Sequence, residues 1–397
     1  MAHLSASVIQ STGALRAAAA DWDDLHRRSG LAMPVLKARP LALWCDHFAK
    51  GSKLHVVVIR DGGVFVGALP LVERRWIGMT IGELAGNTWS PAGDLLLDRQ
   101  ADVPAVCRQI VETVGKCGWP LVSFDVVPAA APRWQAFWSE LEEAAFSYVR
   151  RPRFSINVVR PGDDWDRYFA TRSRAHRRRI RRAAAKATAH GETTLVCHDA
   201  LAVDEVEPLL RQLFTIESSG WKGRQGSAVL NAPDVWDFFL AQAKQLAADG
   251  ELNLVVLEHS GQPIAFEYGW QANGVYFSPK VSYDEAYAAY APGQLLRAMW
   301  LERITRERHV ETIDFLGPAC PATTSWATED YPMERALIGA GGSMGNTLIE
   351  LYRRAGPAVR AARRWLGYPS APTHRQEEVE ALLYERQEAE EPAGVGV

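Results

Sequence analysis

Two stretches of the 397-residue sequence repeat each other without a gap. Residues 54–67 read LHVVVIRDGGVFVG and residues 252–265 read LNLVVLEHSGQPIA, with most apolar positions in step and Gly63 falling on Gly261. Each reads as two strands joined by a tight turn, Asp61-Gly62-Gly63 in the first and Ser260-Gly261 in the second. Two buried hairpins often look alike, but here the flanking elements match as well, which favours an internal duplication. A chain built this way folds as two related α/β halves with mixed (α+β) sheets. Its chemistry is then sought where the halves differ.

Apolar residues at helical spacing predict helices over Leu15–Arg28, stopped by Gly30, and over Arg39–Lys50. After the first hairpin come strands near Met79–Ala85 and Asp94–Leu97, a helix at Val103–Lys116, a strand at Leu121–Val127, a helix at Trp134–Ala145 and a strand at Tyr148–Val159. The second half repeats this order, with helices at Leu201–Ser218 and Pro233–Ala248, the hairpin, a strand at Val275–Tyr283, a helix at Gly293–Arg308, and strands at Glu311–Leu316 and Met333–Ile338. The expected organisation is an N-terminal domain over 1–160 and a C-terminal domain over 161–345. A basic helix and an acidic flexible tail, with one helical stretch at Glu377–Arg386, fill 346–397.

Composition narrows the function. Hydrophobic residues make up 47% and charged residues 23%, an ordinary globular mix, and a net charge of −3 excludes a polycation built for nucleic acid. Five cysteines stand far apart with no CxxC pair, which predicts idle thiols in a reducing compartment. No run of about 18 apolar residues occurs, so a cytoplasmic address is expected. The histidines show no metal-binding spacing, and no metal is predicted. The stretch Gly341-Gly342-Ser343-Met344-Gly345 matches a nucleophile elbow, but no Asp follows Ser343, so a plain turn is the better reading.

Three segments of the second half carry chemistry. The first, Glu217 to Gly226, places a carboxylate, the Trp221 ring and the Lys222 ammonium at a helix end, in a Gly-rich turn free to close over a ligand. An ordinary exposed loop fits it equally well. In the second, Pro292 and Gly293 open a helix before Gln294 and Leu295, and the free N–H groups of such an end suit a pyrophosphate. The third is a set of polar residues on apolar strands: Glu267, Lys280 and Asp314. Glu267 reads as a general base facing a cleft or as the ion-pair partner of Lys280. The first half has Ala68-Leu69 where the second has Phe266-Glu267, so only the second keeps the strand carboxylate.

A basic stretch, Arg172 to Lys186, precedes these segments without a single acidic residue. Charge spreads around most of a helix and leaves no apolar stripe to bury, so Arg177, Arg178 and Arg181 are expected to meet an anion on a substrate or at an anionic membrane surface. No aromatic residue lies between Arg172 and Lys186, so tRNA ranks last.

The element order is similar to the GNAT acyltransferase fold, present twice. The details resemble the double-GNAT family that includes CelD-like proteins of polysaccharide biosynthesis, the BioF-type acetyltransferase domain and, more distantly, the Fem-type aminoacyl transferases. The residues that carry the resemblance are Trp22 with Leu25, Arg172–Arg182, Glu217 with Trp221-Lys222-Gly223, Gly261–Ala265, Ala291–Leu296 and Asp314–Leu316. Together they span roughly 20–340. The resemblance implies transfer of an acyl group, acetyl first among them, from acyl-CoA to an amine or hydroxyl of a small-molecule or saccharide-precursor acceptor. Residues 291–296, among them Pro292, Gly293, Gln294 and Leu295, would hold the donor. Glu267, Glu217, Lys222 and Asp314 would do the chemistry, with Trp221 and Lys280 on the substrate. Two alternatives stand beside this reading: an aminoacyl-tRNA donor, and a non-catalytic module that binds a glycan or lipid precursor.

Overall fold

The computed structural model describes residues 3–76, 78–340 and 342–365. The first half runs β1 (Leu4–Ile9), α1 (Thr12–Ala17), α2 (Ala19–Ser29), α3 (Ala38–Phe48), β2 (Leu54–Asp61), β3 (Val64–Trp76), β4 (Met79–Leu84), β5 (Leu96–Leu97), α4 (Val103–Gly115), β6 (Leu121–Val127), α5 (Pro132–Glu143) and β7 (Tyr148–Val159). The second runs α6 (Trp165–Ala170), α7 (Arg174–His190), β8 (Thr193–His198), α8 (Val206–Ser219), α9 (Trp221–Arg224), α10 (Pro233–Ala248), β9 (Leu252–His259), β10 (Gln262–Ala272), β11 (Val275–Tyr283), α11 (Pro292–Glu307), β12 (Thr312–Pro318), α12 (Pro321–Thr324), β13 (Glu329–Gly339) and α13 (Gly342–Trp365). The expected tail, with its helical stretch at Glu377–Arg386, lies outside the described residues.

The duplication extends to backbone detail. In the first hairpin Leu54 faces Val72 and Ile59 faces Gly67; at the equivalent positions of the second, Leu252 faces Trp270 and Leu257 faces Ala265. A bulge falls at the same place in both. Both turns hold two consecutive residues at positive φ, Gly62 and Gly63 in one, Ser260 and Gly261 in the other. That is the geometry whose twist matches the flanking strands.

One mixed sheet joins the halves in the order β1-β2-β3-β4-β6-β13-β7-β12-β11-β10-β9-β8, with β5 paired to β3. Read from either end, the order is the same for the two halves, except that the closing strands are exchanged. β7, which ends the first half, pairs with β12, and β13, which ends the second, pairs with β6. The exchanged strands also pair with each other along most of their length, from Tyr148–Ile338 to Val158–Glu329.

Helices cover both faces, which explains the unbroken apolar run of β2: Val56 and Val58 point to one core, Val57 and Ile59 to the other. On one face α2 and α3 share a core with α8 and α10, where Phe48 meets Phe238 edge-on at 4.8 Å. On the opposite face α4 and α5 cover the first half, and α6, α7 and α11 cover the second.

Several expectations need correction. The first helix is two helices, because Ala18 leaves helical geometry (φ −91, ψ 12), and a run of alanines gives no letter to mark the break. The strand expected at Asp94–Leu97 is only Leu96–Leu97, because Asp94 turns its carboxylate to Arg133 and the Trp134 indole. The basic segment does bury a stripe: His176, Ile180, Ala183 and Ala187 recur at helical spacing on α7. His176 packs edge-on against Trp326 at 4.3 Å. Histidine and alanine weigh little in a hydropathy count, yet they suffice where a helix lies close to its neighbours. The edge strands β1 and β8, short and half-exposed, were not anticipated.

The strand exchange predicts that residues 1–160 and 161–345, made as separate fragments, give no cooperative thermal transition by circular dichroism, and that mixing them restores one. A fragment 1–160 that melts cooperatively by itself would show that β6 does not need β13.

Candidate active site

The parallel pairing of β11 with β12 covers only Val275–Thr312, Tyr276–Ile313 and Phe277–Asp314. β11 then runs on to Tyr283 and β12 to Pro318 without further pairing between them among the described residues. A cleft open to solvent lies on the β11 side of this parting. Its lining includes Glu217, Trp221, Lys222, Pro292, Gly293 and Gln294, six of the residues singled out in the sequence.

The N-terminus of α11 forms the mouth. Ala291 adopts a left-handed conformation (φ 45), which turns the chain sharply into the helix. No side chain caps this end, and Pro292 has no N–H to offer. The amides of Gln294 and Leu295 bond back to the Ala291 carbonyl at 3.0 Å each. The positive end of the helix dipole therefore faces the cleft. A Cβ at Gly293 would meet only Tyr283, at 3.8 Å, so the glycine keeps open space rather than relieving a clash. Gln294 spends both ends of its amide on the scaffold: its nitrogen donates to the Ala322 carbonyl at 3.1 Å and its oxygen accepts from the Trp326 indole at 2.8 Å. Leu295 is turned into the core.

Glu217 closes one wall. It is 1% exposed and accepts from Lys280 at 3.0 Å and from the Val229 amide at 3.0 Å, with Lys222 at 3.6 Å. Burial acts to raise its pKa, but Lys280, Lys222 and the amide outweigh it and hold the carboxylate below its ordinary range. Lys222 also donates to the Val281 carbonyl at 3.1 Å. Lys280 lies over the rings of Trp89 at 4.8 Å and Phe239 at 5.5 Å, so the first half reaches the site through its 86–92 loop. The turn after Glu217 is not free to close. Glu285 accepts from the Trp221 amide at 2.8 Å and from Arg224 at 3.0 Å, and a Cβ at Gly223 would fall 1.7 Å from the Ser218 carbonyl oxygen.

Glu267 is fully buried, and its partner is Arg297 on α11 rather than Lys280. Arg297 donates from Nε at 2.9 Å and from Nη2 at 2.6 Å to one carboxylate oxygen, and Ser278 donates to the other at 2.7 Å. The guanidinium also lies over the Phe315 ring at 4.3 Å.

Asp314 stands at the last paired position before the strands part. It accepts from the Tyr331 hydroxyl at 2.8 Å and from the Leu316 amide at 2.8 Å, a bond that Leu316 makes from a left-handed conformation (φ 52). Burial pushes its pKa up to about 6, against the smaller lowering by the amide and the hydroxyl. Ile313 and Phe315 face the α11 core, so strand alternation sends Asp314 to the opposite face of the sheet. Arg133 and Asp94 of the first half act electrostatically on Tyr331 there.

The basic residues Arg177, Arg178 and Arg181 sit on α7, outside the cleft lining, with Arg178 and Arg181 exposed. Four residues of the site escaped the sequence reading. Glu285 lies in a short 3₁₀ turn, Arg297 is one of several Arg on α11, Ser278 is an unremarked strand serine, and Trp89 comes from the other half. Only Arg297 left a signal, a charge at helical spacing on an otherwise buried face. Among the described residues no cluster of three or more side chains could hold a metal ion.

Residues 174–331 match the family model described as acetyltransferase (GNAT) domain. Among solved structures the chain is similar to FemX, with a TM-score of 0.50 and 10% identity over 78% of this chain and 92% of that one. It is also similar to the C-terminal domain of a putative lysylphosphatidylglycerol synthetase from Agrobacterium fabrum (TM-score 0.48, 12% identity, 85% and 97% covered). A third is a tandem GNAT protein from the clavulanic acid biosynthesis pathway (0.45, 13%, 86% and 100%). No curated protein sequence matches the chain. The matched segment begins at α7 and ends on β13 at Tyr331, so it contains the parted strands, the uncapped helix and the Asp314–Tyr331 pair; residues 174–331 are similar to GNAT acetyltransferase domains, and the chain has the GNAT acyltransferase fold.

Proposed function

We propose that the second half transfers an acyl group from a CoA thioester to an amine or hydroxyl of a small-molecule or saccharide-precursor acceptor. The observation that carries this reading is the uncapped N-terminus of α11 at the mouth of a cleft between parted strands. A pyrophosphate is held by the free end of a helix, and an extended arm fits along a strand that has lost its neighbour. In the first half the corresponding helix, α4, is capped by Asp102, which accepts from the Ala105 amide at 3.2 Å. A carboxylate already stands where a phosphate would go, so only the second half is suited to the donor.

The acceptor nitrogen or oxygen attacks the thioester carbonyl and forms the new C–N or C–O bond, the C–S bond breaks, and the sulfur leaves with the electron pair as a thiolate, which the proton given up by the acceptor finally neutralises. One proton must leave the acceptor. Three carboxylates were candidates to take it. Glu267 is locked between Arg297 and Ser278, and Glu217 is held ionised by two lysines. Asp314, with a pKa near 6, is matched to proton transfer at neutral pH. Its place on the face opposite α11 suits an acceptor arriving from the side away from the donor's phosphates. The exposed arginines of α7 offer an anionic acceptor, or the membrane surface that displays one, a place to rest outside the cleft.

Replacing Gly293 by Val tests the donor site. Its one near neighbour is at ordinary contact distance, so the melting temperature stays within a few degrees while acetyl-CoA affinity falls at least about tenfold in calorimetric titration. Unchanged affinity would place the donor elsewhere.

Replacing Asp314 by Asn tests the base. Turnover falls by about 10²–10⁴-fold. The wild-type rate rises with pH through about 6 as the carboxylate ionises, and the variant lacks that limb. Stability moves the other way. The folded-state pKa lies above the usual value, near 4, so ionising Asp314 weakens the fold as pH rises toward and through about 6. At pH 8 the Asn variant therefore melts no lower than wild type. An unaltered pH–rate profile would remove Asp314 from the mechanism.

A further inference from the structure

The Arg297–Glu267 pair does more than fill the core, because of where it lies. The last matched pair of β11 and β12 is Phe277 with Asp314. The next residues are Ser278 and Phe315; Arg297 lies over the Phe315 ring and is linked to Ser278 by Glu267, which accepts from both. The guanidinium is thus set between the two strands at the point where they part. It is 3% exposed, yet it lines the cleft. Nε and Nη2 are committed to Glu267. Among the described residues Nη1 has no hydrogen-bond partner, and its two N–H groups remain to be used by whatever enters.

A donor anchored at the α11 N-terminus starts beside Tyr283, the residue next to Gly293. From Tyr283 to Ser278 is five residues of strand, about 16 Å at ~3.3 Å per residue, a length suited to an extended pantetheine arm. Its thioester end then arrives at Arg297. What Arg297 accepts is set by Glu267. The pair is neutral and almost wholly removed from water, so a carbonyl oxygen can take a hydrogen bond from Nη1 without adding charge. A second carboxylate would share one cation with Glu267, and like charges brought together in a dry site repel strongly.

Resting on the donor reading above, we infer that Arg297 binds the acyl carbonyl through Nη1, and that its neutralisation by Glu267 restricts the cleft to thioesters with uncharged acyl groups.

The test is calorimetric titration of the full chain with CoA, acetyl-CoA and succinyl-CoA, which needs no acceptor. Wild type binds acetyl-CoA at least tenfold more tightly than succinyl-CoA. In Glu267→Gln the charge of Arg297 is no longer balanced, and the acetyl-to-succinyl affinity ratio moves at least tenfold toward succinyl-CoA. An unchanged ratio in the folded variant overturns the inference.

If Glu267→Gln does not fold, the double variant Glu267→Met/Arg297→Met decides, because an apolar pair of similar size commonly replaces a buried ion pair without loss of stability. There the preference for acetyl-CoA over CoA falls at least about tenfold, the effect of losing a hydrogen bond from a charged donor. A preserved preference overturns the inference. A wild-type protein that binds none of the three ligands refutes the donor reading itself, and this inference with it. Binding of CoA with no effect of either variant on the ratios refutes this inference alone.

Discussion

Parallel strands β11 and β12 share backbone hydrogen bonds over three residue pairs, and the site is made from what lies beyond them. Backbone N–H and C=O groups stripped of a partner are costly when buried, so strands part only where something else satisfies or solvates them. Here the opening leaves a solvent-open cleft on the β11 side, where Lys222 takes up the Val281 carbonyl. The Arg297–Glu267–Ser278 network sits at the vertex and the bare end of α11 at the mouth. Asp314 stands on the other face of the sheet. Re-pairing the two strands would erase the cleft and separate these groups at once.

The duplication shows how few changes separate a half that carries the cleft and its buried ion pair from one that lacks the strand carboxylate. The hairpins agree in register, bulge and turn, so the scaffold is the same. Leu69, buried in an apolar core beneath α4, occupies the place that Glu267 holds opposite Arg297. Gly67 leaves a gap that Val106 fills, with a hypothetical Cβ only 2.3 Å from its methyl. Asp102 closes the α4 end that stays bare in α11. The first half still acts on the site through Trp89, which covers Lys280, and through Arg133 and Asp94 near Tyr331.

Much of this was legible in the letters, and the parts that were not share a cause. The hairpins, the Pro-Gly helix start and the turn after Glu217 carry local signals: periodicity, punctuation and turn chemistry. The cleft residues on them were therefore found, and six of them meet. Partnership between distant residues leaves no such trace. Glu267 reads as a lone carboxylate until Arg297 is seen thirty positions away, and Lys280 reads as its partner until it is found on Glu217. Asp314 was visible as a polar residue in an apolar strand. Its raised pKa comes from burial, and its hydrogen bond comes from Tyr331 seventeen positions on, neither of which the sequence displays. The stripe on α7 was missed because His176 and three small or aliphatic residues are outnumbered by arginines.

The exchange of β7 and β13 also bears on how the chain is made. On the side away from β4, Leu121 of β6 finds its neighbour at Gly339, and on the side away from β11, Ile313 of β12 finds its own at Val159. Pairings so distant in sequence raise the contact order, and chains rich in them fold slowly. During synthesis the first half emerges with β6 as an open edge and must wait for nearly the whole of the second half before β13 can cover it. An open edge is a place where another chain can pair. The order of synthesis thus leaves a window in which the same apolar strands that later form one sheet are exposed to association. A partner that shields β6 during that interval would govern the yield of folded protein without touching its activity.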